Sequence, residues 1–216
     1  MSTLSVPRPT YHHGNLREEL IDVAVRRARA DGPSALALRE LAREVGVTSA
    51  AVYRHFPDLD HLRAVVAQRA REELAQSMLD ASDAVPAMRS RANRAVACFT
   101  AIGSAYVQFA ADEPGLFHTA FIACSSAPER PDDPSAWQIL NDALDDLVAV
   151  GRLDRARLAD APLIAWTSVH GLATLIVTGD GLPPGTTVQH ATTAIIRGIH
   201  RSLGISPLQS TKGRTA

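Results

Sequence analysis

Apolar residues recur along this chain at three- and four-residue intervals, and no stretch alternates convincingly with the two-residue period of a strand. The pattern predicts an all-α protein of about nine helices. The first ends near Asp31-Gly32-Pro33. Two short ones follow, over Leu38–Val45 and from Ser49 to Phe56. A long one runs over Leu59–Leu79, and Asp83-Ala84-Val85-Pro86 breaks it. The next runs from Met88 to about Ala111, with Ala95, Cys98, Phe99, Ile102, Tyr106 and Phe109 on one broad face. Asp112-Glu113-Pro114 opens another that reaches Cys124, because Asp caps a helix and Pro is tolerated in its first turn. Ser125–Ser135, with three prolines and four charges, reads as a loop. Helices over Trp137–Val150, Asp154–Thr178 and Thr187–Leu203 complete the count, and a polar tail follows Gly204.

The stretch from Leu36 to Phe56, LALRELAREVGVTSAAVYRHF, carries the most chemistry. Leu38, Leu41, Ala42 and Val45 form an apolar stripe on its first helix. Gly46 stands where a positive φ can end that helix without a Cβ clash. Thr48 has the hydroxyl to cap the next helix. That second helix opens with the small residues Ser49, Ala50 and Ala51, and it closes with Tyr53, Arg54, His55 and Phe56 before Pro57 stops it. Two short helices around a glycine turn have the proportions of a DNA-binding helix-turn-helix. Small residues first and Tyr, Arg and His last suit a helix lying in a major groove. A plain helical hairpin has the same spacing, so the spacing alone does not decide.

Composition narrows the classes. The 216 residues suffice for one domain or two small ones, and 46% hydrophobic content supports a substantial core. No apolar run reaches the roughly 18 residues that span a bilayer. The nearest, Ala161–Thr178, is interrupted by Trp166, Ser168 and His170, and no signal-type apolar segment opens the chain. A soluble cytoplasmic protein is therefore expected. Net charge is -1. Residues 1–57 hold eight Arg against six acids, plus His12, His13 and His55, so any nucleic-acid contact rests on sparse, well-placed cations. Of 22 basic side chains a single one, Lys212, is lysine, which reads as genome composition. Cys98 and Cys124 sit in apolar helical contexts and read as reduced, buried small hydrophobes. Metal-ligand spacing, a phosphate-binding glycine loop and a G-x-S-x-G elbow are all absent from the sequence, so neither a metal, a cofactor nor an enzyme activity is expected.

The context of the two short helices resembles the TetR family of bacterial transcriptional regulators. Gly32, Leu36, Arg39, Leu41, Ala42, Gly46, Val47, Thr48, Val52, Tyr53, His55, Phe56 and Leu62 match its N-terminal pattern in register, within a similarity spanning roughly residues 12–65. Two positions depart from it. Ala37 stands where the family usually has a capping Ser or Thr, and Leu59 where it usually has a Lys that meets a phosphate. The resemblance implies a DNA-binding head over residues 1–60. In it Ser49, Ala50 and Ala51 lie where side chains reach base edges, Tyr53 and His55 lie on the later turn towards phosphates, and Thr48 and Arg54 are further DNA-binding candidates. Arg39 and, in the N-terminal arm, Arg8 and His12 are further backbone candidates.

Residues 61–205 then form a ligand-binding and dimerisation bundle, with a flexible tail over 206–216. The head-to-bundle boundary falls inside the fourth helix, so that helix is a rigid connection. Trp166-Thr167-Ser168-Val169-His170-Gly171 resembles the W-x-x-x-H-G signature of one branch of TetR-like C-terminal domains, and Tyr106-x-x-Phe109-Ala110 followed by Pro114-x-x-Phe117-x-x-x-Phe121 is similar to the same branch. Trp166, His170, Ala173 and Val177 fall on one helical stripe. Ile195, Gly198, Ile199 and Ser202 fall on another. These stripes are the expected dimer surface, with completion of the monomer core as the alternative. Gly171 in mid-helix costs about 1 kcal/mol against Ala unless another backbone approaches there.

The aromatic content of the bundle suggests a site for a small apolar ligand among Phe99, Ile102, Tyr106, Phe117, Phe121, Trp137, Leu140 and Trp166, although an aromatic stripe is also ordinary core. The expected function is a homodimeric, sequence-specific DNA-binding repressor released from a double-stranded operator by such an effector. The alternative is a helical interaction protein that has lost DNA binding, which Leu59 and the low basic charge keep open.

Overall fold

A computed structural model describes residues 16–122, 135–179 and 181–206. Arg8, His12, Cys124 and the tail from residue 207 lie outside them. Among the described residues there are nine α-helices and no strand: α1 Leu16–Asp31, α2 Leu38–Val45, α3 Ser49–Tyr53, α4 Leu59–Asp83, α5 Arg91–Asp112, α6 Pro114–Phe117, α7 Ala136–Ala149, α8 Ala161–Thr178 and α9 Val188–Leu203. One continuous hydrophobic cluster runs from Leu20 and Leu41 in the first helices, through Leu62 and Leu74 of α4, to Leu144 of α7 and Leu203 of α9.

Caps set most boundaries. Asp58 accepts the His61 amide at 2.7 Å and starts α4. Ser90 accepts the Asn93 amide at 3.2 Å, which moves the start of α5 from the expected Met88 to Arg91. Ser135 and Thr187 cap α7 and α9 in the same way. Helix α4 runs one turn beyond the expected Leu79, because the acidic stretch up to Asp83 has no helix breaker before Pro86. Helix α3 stops at Tyr53, short of Phe56, and turns so that Phe56 is fully buried. Helix α8 begins at Ala161 instead of Asp154. Asp154 spends its carboxylate on a separate short turn, accepting the Ala156 amide at 2.9 Å, and Pro162 in the first turn opens the helix proper.

The segment after Pro114 is shorter as α-helix than its pattern implies. It widens into a π turn over His118–Ile122. The Thr119 hydroxyl donates back to the Gly115 carbonyl at 2.8 Å, and the Arg71 guanidinium donates to the Ala120 carbonyl at 2.9 Å. These bonds satisfy backbone oxygens that a widened turn leaves less well paired.

Candidate functional site

The two short helices form an open corner. Gly46 ends α2 at φ 76°, in the left-handed region that only glycine enters at little cost. The Thr48 hydroxyl accepts the Ala51 amide at 3.3 Å, so α3 starts where its chemistry predicts. Val52 and Phe56 are fully buried and anchor α3 to the rest of the head. The remaining face is outward. Thr48, Ser49, Ala50 and Arg54 are exposed, Tyr53 is 47% exposed, and Ala51 and His55 are half-buried.

Charge on this corner is sorted by pairing. Arg27 is held by the Ala35 carbonyl at 3.1 Å and by Glu44 at 3.3 Å. Arg43 pairs with Glu40 at 2.6 Å, an exposed pair that raises the one pKa and lowers the other mainly through that hydrogen bond. Arg17 lies over the Phe56 ring at 5.6 Å and also pairs with Glu18. Arg39 and Arg54 make no ion pair among the described residues and remain available to an external anion. The two departures from the family pattern have visible consequences. Ala37 provides no side-chain cap for α2. Leu59 packs partly buried against the core, where a Lys would have to reach outward.

The bundle holds a cluster of rings around Tyr106. Its hydroxyl meets His170 Nδ1 at 2.8 Å. Phe117, Phe121 and Trp166 surround its ring at 5.9, 6.3 and 5.4 Å between centroids. His170 stacks on Trp166 with the planes 12° apart, and Trp137 meets Trp166 edge-on at 5.5 Å. Burial pushes the Tyr106 hydroxyl pKa well up and the His170 pKa down. Phe99 stands apart and stacks on His200 at 5.7 Å.

The expected ligand set is therefore divided. Phe99, Ile102, Tyr106, Leu140 and Trp166 line a cavity of about 20 Å3, with Met78, Gly103, Ala165, Val169, Ile196 and Ile199. Phe117, Phe121 and Trp137 are not among its walls, and Trp137 is 42% exposed. The void has room for about one water, whereas ligand pockets run to roughly 300 Å3 and more. The aromatics fill their own space by packing on one another. A larger cavity of about 310 Å3 lies between the end of α4, the first half of α5 and α7. It is lined partly by charged residues, which aromatic spacing does not reveal.

The expected dimer stripes are partly turned inward in the single chain. Ala173 is fully buried and Ile199 is 3% exposed, so both complete the core of the single chain. Trp166 and His170 turn inward onto Tyr106. Val177, Ile195 and Gly198 are half-buried, and Ser202 is exposed. The outward face of α8 is Leu163, Thr167, Gly171 and Leu175, four residues apart each time, with Leu163 62% exposed. A Cβ added at Gly171 or Gly198 would meet nothing within 4 Å, so no backbone of the same chain explains either glycine. Helix α8 is apolar nearly all round, so periodicity could not say which face turns inward. By length and composition α5 and α8 are both apolar enough to cross a membrane, contrary to the expectation from the sequence, but α5 is packed inside the bundle.

Residues 20–66 match the family model described as bacterial regulatory proteins, tetR family. Residues 99–199 match the model of the tetracyclin repressor-like C-terminal domain. Among solved structures, a protein of unknown function from Rhodococcus sp. RHA1 superposes with a TM-score of 0.74 at 27% identity, covering 91% of this chain and 99% of that one. The TetR family transcriptional regulator PfmR from Thermus thermophilus superposes with a TM-score of 0.56 at 15% identity, covering 88% of this chain and 99% of that one, a likeness of fold. No curated protein matches the chain. The head and the bundle thus match models of the same family, each over the helices that carry its characteristic residues, and this chain belongs to the TetR family of non-enzymatic, DNA-binding transcriptional regulators.

Proposed function

We propose that the chain acts as a homodimeric, cytoplasmic repressor that binds a specific operator through α3 and leaves it when a small molecule enters the bundle. The observation that carries the operator reading is the outward face of α3 beside two cations without an ion pair among the described residues. Ser49, Ala50 and Ala51 stand at the start of the helix, where side chains reach base edges. Tyr53 and His55, with Arg39 and Arg54, are placed for phosphates.

Dimerisation follows from two physical arguments. A recognition helix of five residues reads too few base pairs to be specific alone. Helix α8 also leaves Leu163, Thr167, Gly171 and Leu175 uncovered, and the Thr167 hydroxyl returns to the Leu163 carbonyl at 2.8 Å, which removes its polarity from that face. A partner helix approaching over Gly171 and, on α9, over Gly198 would account for both glycines. Ile195 and Ser202 would sit at the rim of that contact.

Release by a ligand requires the closed aromatic core to open. A molecule parting Phe99, Tyr106 and Trp166 would displace α4 through Met78 and change the separation of the two recognition helices. That separation has to match about one DNA turn, roughly 34–36 Å, for both half-sites to be read together.

The test is fluorescence anisotropy with labelled DNA from upstream of the gene itself, titrated with the full chain. Sequence-specific binding with a steep salt dependence is the expected result. Binding to no fragment above the level of unrelated DNA would favour the alternative, a helical interaction protein, and would agree with the missing cation at Leu59.

A further inference from the structure

We propose that the groove between α5 and α7 is a binding site for a zwitterion whose ammonium and carboxylate are separated by an apolar chain, such as an ω-amino acid or a short peptide. The groove is a different site from the aromatic core, and its occupancy does not rest on operator binding.

The walls of the 310 Å3 cavity come mainly from two helical stripes. Helix α5 supplies Arg91, Arg94, Ala95, Cys98 and Ile102; α7 supplies Ile139, Asp142, Ala143 and Asp146, with Val150 just past its end and Leu79 and Ser82 from α4. The two helices run antiparallel. Arg152, just beyond α7, donates to Asn93 at 2.8 Å near the start of α5. At the other end Ala136 and Leu140 face the same small cavity as Ile102 and Tyr106. In that register Arg94 lies level with the end of α7, and Asp146 lies roughly level with Cys98. The guanidinium and carboxylate positions are therefore offset by about one turn, roughly 6 Å, and Asp142 lies another turn along.

This offset explains why the charges do not neutralise one another. Neither arginine forms an ion pair with either aspartate among the described residues. Among those residues Asp142 accepts only the Gln138 side chain, at 2.7 Å, and Asp146 has no side-chain partner. The backbone adds to the separation. Arg91 and Arg94 stand in the first turn of α5, where the helix dipole favours an anion. Asp146 stands in the last turn of α7, where the helix dipole favours a cation. The other walls are largely apolar, with Leu79, Ala95, Ile102, Ile139 and Ala143.

The groove thus offers a positive end at Arg91 and Arg94 and, one to two turns along α5, a negative end at Asp146 and Asp142, among apolar walls. A purely apolar ligand would engage neither charged end, and a simple anion or amine would engage one end only. An α-amino acid carries both charges on one carbon and cannot span the offset.

The experiment is calorimetric titration of the full chain, without DNA, with 8-aminooctanoate. Octanoate, octylamine and 2-aminooctanoate serve as matched controls. The ω-amino acid is expected to bind at least tenfold more tightly than any of the three. Arg94→Gln and Asp146→Asn, both at exposed positions and checked for unchanged helicity by circular dichroism, should each weaken it at least tenfold. Bound 8-aminooctanoate should also slow alkylation of Cys98, read by peptide mass spectrometry, because Cys98 lines the groove. No binding, equal binding of octanoate or octylamine, or binding unmoved by both variants would overturn the proposal. Because no operator is present, failure here leaves the DNA-binding reading untouched, and the converse holds as well.

Discussion

Arg29, in the last turn of α1, reaches across to Glu113 at the junction of α5 and α6, its Nε donating to a carboxylate oxygen at 2.9 Å. The same guanidinium donates to Glu73 of α4 at 2.5 Å. One side chain thus ties the head to two elements of the bundle. Burial pulls its pKa down, but Glu73 and Glu113 outweigh that and hold it above the usual arginine value. Two residues beyond Glu113, Gly115 packs so closely on α1 that an added Cβ would lie 2.2 Å from the Ala28 carbonyl oxygen and 2.8 Å from that of Arg29.

These two contacts should respond differently to substitution. The arginine is 39% exposed, so solvent screens the pair. Arg29→Gln should cost only about 1 kcal/mol of stability, and less at high salt. Gly115→Ala meets backbone, which cannot swing aside. It should cost about 1–3 kcal/mol and loosen the docking of α6 on α1. Urea melts at low and high salt distinguish them. A salt-independent Arg29→Gln effect, or a neutral Gly115→Ala, would contradict the geometry.

Substitutions on α3 should separate affinity from specificity. Tyr53→Ala and Arg54→Ala should weaken binding to all sequences alike, and Arg54→Ala should reduce the slope of log affinity against log salt by about 1. Ala50→Arg should instead change which sequences are preferred. Val52→Ala should unfold the head rather than alter its preference, because Val52 is fully buried. Anisotropy titrations on an operator and on scrambled DNA read all four. An unchanged salt slope in Arg54→Ala would remove that residue from the phosphate contacts.

How far the sequence could be read followed the range of each interaction. The corner of α2 and α3 was legible because Gly46 and Thr48 act on neighbours within three residues. The caps at Asp58 and Asp154 act over equally short range, yet the turn that Asp154 builds was merged into α8, since apolar periodicity does not register a break at Pro162. Pairings between residues far apart in the chain had no local signal. Tyr106 and His170 are 64 positions apart, and Arg29 and Glu113 are 84. Which face of α8 turns inward had no local signal for a different reason. When nearly every face of a helix is apolar, tertiary packing alone chooses the inner one, and here it chose Trp166, His170 and Ala173. The groove has no local signal either, because Asp142 and Asp146 share a cavity with Arg91 and Arg94 only once α5 is laid against α7.

The inner and outer faces of α8 should respond oppositely to the same charge. Leu175→Asp places it on the outward face and should leave the monomer folded while raising the dimer dissociation constant at least about 100-fold, near 3 kcal/mol. Ala173→Asp places it in the core of the single chain and should unfold it. Analytical ultracentrifugation and circular dichroism together separate the two effects. A Leu175→Asp variant that sediments as a dimer would move the interface off this face.

Stability should fall with acid through two histidines. His170 and His200 are both half-buried, and burial holds each pKa below the ordinary histidine value. Each therefore favours the neutral ring in the folded state, where His170 Nδ1 meets the Tyr106 hydroxyl and His200 Nε2 lies 3.3 Å from the Thr100 hydroxyl. The unfolded chain binds protons first as pH drops below about 6.5. The stability contributed by the neutral rings is thus fully present above that pH and is lost as pH falls from there through the depressed folded values. Melting temperatures measured from pH 8 to pH 5 should be flat at first and then decline. His170→Gln should lower stability at pH 8, by removing a ring stacked on Trp166, and should also make the acid decline shallower. A decline equally steep in His170→Gln and in a His200→Gln variant as in the parent chain would assign the acid sensitivity to other groups.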